Sequence, residues 1–241
     1  MSVAEWGRSL LELLYPRWCV SCGARIGWRD EFLCSACRAA LEPVEPGNLC
    51  AVCGQPLSGE LVPGHRCADC RLRPPPFRMA RAALLYRSAA AAAIRAFKYR
   101  PAPWLAPMLG EFLERGFWKF FSPEDYDAVL PVPLHVRKRK ERGFDQVALL
   151  GGFLSRVTGL PFLSGLTRTR YTETQAGLDR LHRRANVRGA FLVRRPRLVA
   201  EKKLLLVDDV LTTGATAAEC ARVLLRAGAV RVDLLSLART E

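Results

Sequence analysis

In the second part of the chain, apolar residues follow two alternating patterns. Short apolar runs at residues 79–86, 127–133, 189–193, 203–207 and 230–238 read as strands. Helical spacing fills residues 89–97, 105–120, 146–160 and 178–186, and a further helix runs from after Thr216 to a stop at Gly228. In the segment 105–120, Leu109, Phe112, Leu113 and Phe117 share one helical face and are expected in the core, not around a cofactor. Strands that alternate with helices predict an α/β domain with a mostly parallel sheet flanked by helices. Ligands of such sheets bind beyond the carboxyl ends of the strands, so two strand ends matter most. Pro131 and Pro133 close the 127–133 run and fix a loop above it. Asp208 and Asp209 stand where the 203–207 run ends, ahead of the small-residue loop Thr212, Thr213, Gly214, Ala215 and Thr216.

The first 78 residues lack this alternation. Residues 3–14 place Val3, Trp6, Leu10, Leu13 and Leu14 on one helical stripe, which predicts a short amphipathic helix docked on its own protein. Eight of the nine cysteines then form four C-x-x-C pairs, read as CxxCG followed by CxxCR, used twice. Pairing within each unit gives one Cys₄ site of Cys19, Cys22, Cys34 and Cys37 and a second of Cys50, Cys53, Cys67 and Cys70. An interleaved cross-brace stays open at this point. A CxxC turn supplies two thiolates at the bite Zn²⁺ needs, and four protein ligands leave no position for water, so both sites are expected to be structural zinc. A segment this small would use the metal to fold. Gly23 and Gly54 sit where a zinc knuckle turns its backbone back toward the thiolates. A disulfide framework needs an exported chain and a redox CxxC needs a βαβ context, and neither signal is present. Three prolines at 74–76 make a stiff spacer. The expected division is therefore helix and double zinc ribbon at 1–72, linker at 73–77 and α/β domain at 78–241.

Charge sharpens this division. The net charge is +14, and residues 131–203 hold 17 basic side chains against 5 acidic ones. Residues 1–78 are nearly balanced, with 9 against 8. The basic excess suits nucleotides, phosphates or nucleic acid, though a solvated basic surface is the plainer alternative. Two zinc–thiolate centres would make the ribbon segment more negative, which favours a scaffold or protein-contact role there over DNA binding. No apolar run approaches the ~18 residues that span a bilayer, and a cytoplasmic protein is expected.

The candidate chemistry lies at the two strand ends. The 212–216 loop offers backbone N–H groups and hydroxyls to an anion, and Gly214 lets a phosphate approach closely. The adjacent acids suit ribose hydroxyls, so loop and acids together describe a phosphorylated-sugar site. Arg137, Lys138, Arg139, Lys140 and Arg142, read as a loop, would neutralise a pyrophosphate or a nucleic-acid backbone. The polar, aperiodic stretch from Arg168 to Ala176 has the character of a binding loop. His135 has no carboxylate partner in sequence and is assigned no catalytic role. Cys220 shares a helical face with Ala217, Ala221 and Leu224 and is expected as a buried thiol.

The run VDDVLTTGAT resembles the phosphoribosyl pyrophosphate (PRPP) motif of type I phosphoribosyltransferases. The chain as a whole resembles the ComF family of competence proteins, on its paired CxxC units, FKYR at 97–100, PVPL at 131–134, RGFDQ at 142–146 and the segment 168–191. That resemblance implies a type I phosphoribosyltransferase-like sheet behind a double zinc ribbon. It implies that Asp208 and Asp209 contact the ribose hydroxyls of PRPP and that residues 212–216 cradle its 5′-phosphate, with Mg²⁺ accompanying the ligand. It places residues 131–134 as the pyrophosphate loop and Arg168, Arg170, Thr172 and Gln175 in the flexible loop. The expected partners are PRPP or a nucleotide, single-stranded DNA, and other competence or DNA-processing proteins during natural transformation. An active Mg²⁺-dependent phosphoribosyltransferase is the alternative. No base-recognition hood is evident, so binding and transfer are separate expectations and no catalytic residue is assigned.

Overall fold

A computed structural model describes residues 16–27, 30–59, 62, 64–100, 102–171 and 185–240. The helix expected at 3–14 and residues 178–184 of the one expected at 178–186 lie outside these. The ribbon segment contains two short antiparallel strands, β1 (Arg17–Trp18) and β2 (Arg25–Ile26), and two five-residue helices, α1 (Ser35–Ala39) and α2 (Ala68–Leu72). The α/β part follows as β3 (Ala80–Leu85), α3 (Ser88–Tyr99), α4 (Ala106–Phe120), β4 (Ala128–Pro131), α5 (Val136–Arg142), α6 (Gln146–Thr158), β5 (Leu166–Arg168), β6 (Phe191–Val193), β7 (Lys203–Leu211), α7 (Ala215–Arg226) and β8 (Arg231–Arg239).

Strands β3, β8, β7 and β4 form one sheet in that order, and every pair is parallel. Strands β5 and β6 pair antiparallel beside it. The mostly parallel sheet flanked by helices, preceded by a ribbon module, is thus the architecture observed. The two central strands are covered on both faces, and Leu204, Leu205, Leu206, Leu234, Leu235 and Leu237 are fully buried. This is why they read as near-continuous apolar runs without alternation. Helices α4 and α6 cover one face. Gly116 of α4 lies so close to the sheet that a Cβ there would stand 2.7 Å from that of Ala83. Helix α7 covers the other face with its buried residues Ala217, Cys220, Ala221 and Leu224. Cys220 is the buried thiol expected, and burial pushes it well above its ordinary pKa.

Two expectations need correction. The strand expected at 203–207 runs to Leu211, so Asp208 and Asp209 lie inside it. Asp208, Val210 and Leu211 stay in the β8 ladder opposite Ser236, Ala238 and Arg239, because a polar side chain does not interrupt backbone pairing. The basic cluster 137–142 is a helix, not a loop. His135 caps α5, its Nδ1 accepting from the Arg137 N–H at 3.2 Å, and Gly143 in the left-handed region ends it.

The outer edge of β3 is not exposed. Residues 42–44 run antiparallel along it, with the Val44 N–H donating to the Ala83 carbonyl and the Leu85 N–H to that of Glu42. The ribbon therefore covers an edge that would otherwise invite pairing with another chain.

Asp233 anchors the amino end of the sheet. It is fully buried and accepts from the Arg78 guanidinium at 2.7 and 3.0 Å, the Met79 N–H at 2.9 Å and the Tyr126 hydroxyl at 2.8 Å. Asp233→Ala leaves at least two of these donors unpaired in the core, at ~1–3 kcal/mol each. Thermal unfolding of this variant is expected roughly 5–15 °C lower.

Candidate functional site

Within each unit, the four CxxC sulfurs converge. In both Cys19/Cys22/Cys34/Cys37 and Cys50/Cys53/Cys67/Cys70 the sulfurs lie within 4.8 Å of one another. Cys22 and Cys34 are 3.8 Å apart, and Cys53 and Cys67 are 3.7 Å apart. A tetrahedron with Zn–S of ~2.3 Å separates its sulfurs by about 3.8 Å, so the donor set fits zinc. The structure also selects pairing within each unit over the cross-brace. Gly23 and Gly54 both take positive φ, 72° and 70°, which turns each knuckle as its position in sequence predicted.

The two acids of β7 part company. Successive side chains of a strand point to opposite faces, and here each acid meets a different neighbourhood. Asp209 is buried beneath the end of α3 and the start of α6. Its Oδ1 pairs with Lys98 Nζ at 2.8 Å and its Oδ2 accepts from Gln146 Nε2 at 2.8 Å. Burial opposes the Asp209 carboxylate, but Lys98 and the Gln146 amide outweigh it and hold Asp209 below the usual carboxylate range. Lys98 is likewise raised, the two carboxylates outweighing its burial. Asp208 looks toward Arg168 and Cys220 on the other face, and its Oδ1 accepts from the Asp209 N–H at 2.8 Å. Burial and the adjacent Asp209 charge raise the Asp208 carboxyl to about 7.

The basic residues of α5 divide as well. Arg137, Arg139 and Lys140 are exposed, whereas Lys138 and Arg142 are half-buried. The inward pair joins Lys98, Tyr99, Arg100, Glu141 and Tyr171 around a cavity of about 260 Å³. Arg142 lies over the Tyr99 ring and Lys138 near that of Tyr171. Burial and then Arg168 and Arg142 lower the Lys138 ammonium. The Arg142 Nη1 is buried with no hydrogen-bond partner among the described residues.

Arg168 lies on β5, and Arg170 donates to the backbone carbonyls of Asn186 and Arg188. Thr172 and Gln175 lie outside the described residues. The 212–216 loop leads into α7, with Gly214 at φ 74° capping it. A second cavity, of about 430 Å³, lies behind the loop. Its walls include residues 212–215, Arg188, Arg222 and Arg239, the 73–77 segment, and Cys53, Cys67 and Cys70. Asp208, Asp209 and Lys98 take no part in it.

Reading the residues one by one overlooked Lys98 and Gln146. The only signal for them was their place inside the FKYR and RGFDQ segments. Neither has a spacing that points to Asp209, since three separate elements bring them together.

Known proteins resemble this chain over most of its length. A family model described as a double zinc ribbon domain matches residues 10–71. The DNA utilization protein YhgH of Escherichia coli O157:H7 is 33% identical over 95% of this chain and 99% of its own length. Competence protein F of Haemophilus influenzae is 28% identical over 92% of this chain and 96% of its own. Among solved structures, a Bacillus subtilis glutamine PRPP amidotransferase covers 60% of this chain with 30% of its own, at 21% identity and a TM-score of 0.41.

The raised Asp208 carboxyl has a consequence for stability. The folded state holds its proton more tightly than the unfolded chain, whose Asp titrates near ~3.9, so this group's contribution falls as pH rises from about 4 to about 7. Asp208→Asn keeps the acceptor for the Asp209 N–H and removes that loss. The variant should melt above the wild type at pH 8, with the gain shrinking toward zero near pH 4. A constant difference across a pH series of melting curves would contradict this.

Proposed function

The chain belongs to the ComF family, and from that premise we propose that it serves DNA uptake by binding PRPP or a related ribose 5-phosphate ligand at the carboxyl end of β7, together with single-stranded DNA. One observation carries the ligand reading. Lys98 belongs both to the Asp209 ion pair and to the basic cavity of Arg100, Lys138 and Arg142. A carboxylate suited to sugar hydroxyls, on the strand that leads into the loop at 212–216, and cations suited to a pyrophosphate therefore share a side chain. Gln146 Oε1, buried and without a donor among the described residues, offers an acceptor for a ligand hydroxyl. In this reading the residues 212–216 take the 5′-phosphate and Lys138 and Arg142 the pyrophosphate, with Mg²⁺ as the ligand's counter-ion.

DNA is assigned to the outer face of α5, where Arg137, Arg139 and Lys140 are exposed. A backbone-tracking patch of this kind binds without base preference and with steep salt dependence. Names of relatives that speak of DNA utilization and competence support a role with DNA.

Calorimetric titration with Mg²⁺–PRPP tests the ligand site. Loss of a charge-assisted hydrogen bond costs ~1.5–3 kcal/mol, so Arg142→Gln should weaken PRPP about tenfold or more. Ribose 5-phosphate, which lacks the pyrophosphate, should bind the variant and the wild type alike. Equal PRPP affinity in both proteins would remove Arg142 from the site, and no PRPP binding by the wild type would remove the site itself. Pyrophosphate release with a panel of bases decides between binding and transfer.

Neutralising Arg137, Arg139 and Lys140 together to Gln should lower the log–log salt slope of single-stranded DNA binding by about 2, from ~0.7 per contact, and leave PRPP affinity unchanged. An unaltered slope would place the DNA elsewhere.

A further inference from the structure

The second zinc knuckle is held by the sheet through its backbone. Val52 O accepts from the Ala80 N–H at 2.7 Å, Ala51 O from Arg81 Nη2 at 3.2 Å and Cys53 O from Arg239 Nη1 at 2.6 Å. Arg81 Nη1 also reaches Cys50 O at 3.4 Å. Gly54 completes the fit, because a Cβ there would stand 2.5 Å from Ala80 O. Among the described residues, no hydrogen bond joins either arginine to the first knuckle.

These two arginines are unusual in their surroundings. Arg239 is only 3% exposed and Arg81 is half-buried, and neither has a carboxylate partner among the described residues. Arg239 Nε has no hydrogen-bond partner there at all. A guanidinium does not shed its proton in a protein, and a buried charge without a counter-charge is strongly unfavourable. Backbone carbonyls supply dipoles but no net charge. The missing charge stands next to them: four thiolates around one Zn²⁺ carry about −2, and Cys53 and Arg239 line the same cavity.

We infer that the second zinc–thiolate centre is the counter-charge of Arg81 and Arg239, so that these sheet residues act as positioning residues for zinc at Cys50, Cys53, Cys67 and Cys70. The centre belongs electrically to the α/β domain, although its ligands all come from the ribbon. Metal-bound cysteines are often tuned by such outer donors. The same pairing accounts for the 430 Å³ cavity. Arg239 is matched by the centre and Arg222 by Glu219, which it meets in a bidentate pair. Two of the four arginines that line the cavity, Arg222 and Arg239, are thereby already neutralised.

The test compares side chains of similar length and different charge, in the full-length, zinc-loaded protein. Arg239→Met and Arg239→Lys are titrated with a chromophoric chelator, and zinc release is counted per chain. In the Met variant one of the two zinc ions should leave at about tenfold lower chelator concentration, while the other leaves as in the wild type. The Lys variant should hold both ions close to wild-type strength, a rescue that packing alone does not produce. If the Met and Lys variants behave alike, whether both keep or both lose the ion, the inference fails. Should Arg239→Met not fold, Arg81→Met and Arg81→Lys repeat the comparison on the less buried side chain, with the same two outcomes.

Discussion

A lysine and an aspartate buried together at the carboxyl end of the sheet hold the candidate site in one piece. Lys98 closes α3, Asp209 stands inside β7, and Gln146 opens α6. Each of these groups is costly to bury alone. Together they satisfy one another and fix three elements at one point. Removing a partner from such a pair is far more damaging than replacing the pair as a whole. The rest of the site follows from that junction. Helix α5 lies between β4 and α6, so its inward residues Lys138 and Arg142 are carried to the side of Lys98, and its outward residues face solvent.

The ribbon has a comparable relation to the opposite edge of the sheet. A free parallel edge strand exposes unpaired amides and carbonyls, and β3 would be such a strand. Residues 42–44 occupy its edge, and the second knuckle occupies its start. The contact is too close to tolerate a side chain at Gly54. Metal, knuckle and sheet are therefore interdependent, and the proline run that reads as a spacer ends at Phe77, which is buried beside Gly214 of the phosphate loop. The ribbon stands as one wall of the space behind that loop.

The two cavities differ in chemistry. The smaller one gathers Lys98, which is paired with Asp209, with Arg100, Lys138 and Arg142, and includes the Arg142 Nη1 that has no hydrogen-bond partner among the described residues. The larger one mixes prolines, Phe77 and Leu211 with four arginines, of which Arg222 is paired with Glu219. Size alone would favour the larger as a ligand site. In the proposed reading, the buried Arg142 Nη1 favours the smaller for a polyphosphate.

Local pattern determined what depends on neighbours in sequence. The 3.6-residue and apolar-run patterns gave the four strands of the parallel sheet and helices α3, α4, α6 and α7 to within a few residues, but not β5, and the CxxC spacing gave both cysteine clusters, because two ligands of each site lie three residues apart on one turn. The loop at 212–216 was legible because its glycine and hydroxyls act on their own backbone. The helical character of 136–142 was not, since a run of like charges resembles a solvated loop until its caps, His135 and Gly143, are seen in place. Nor was the separation of Asp208 from Asp209, which depends on the strand continuing through them in the β8 ladder. The partners of the buried charges were set by the tertiary structure alone. Lys98 meets Asp209, and Arg81 and Arg239 meet the second knuckle, only because the strands assemble in the order β3-β8-β7-β4. That order brings distant segments together through long-range backbone pairing, which no local period encodes.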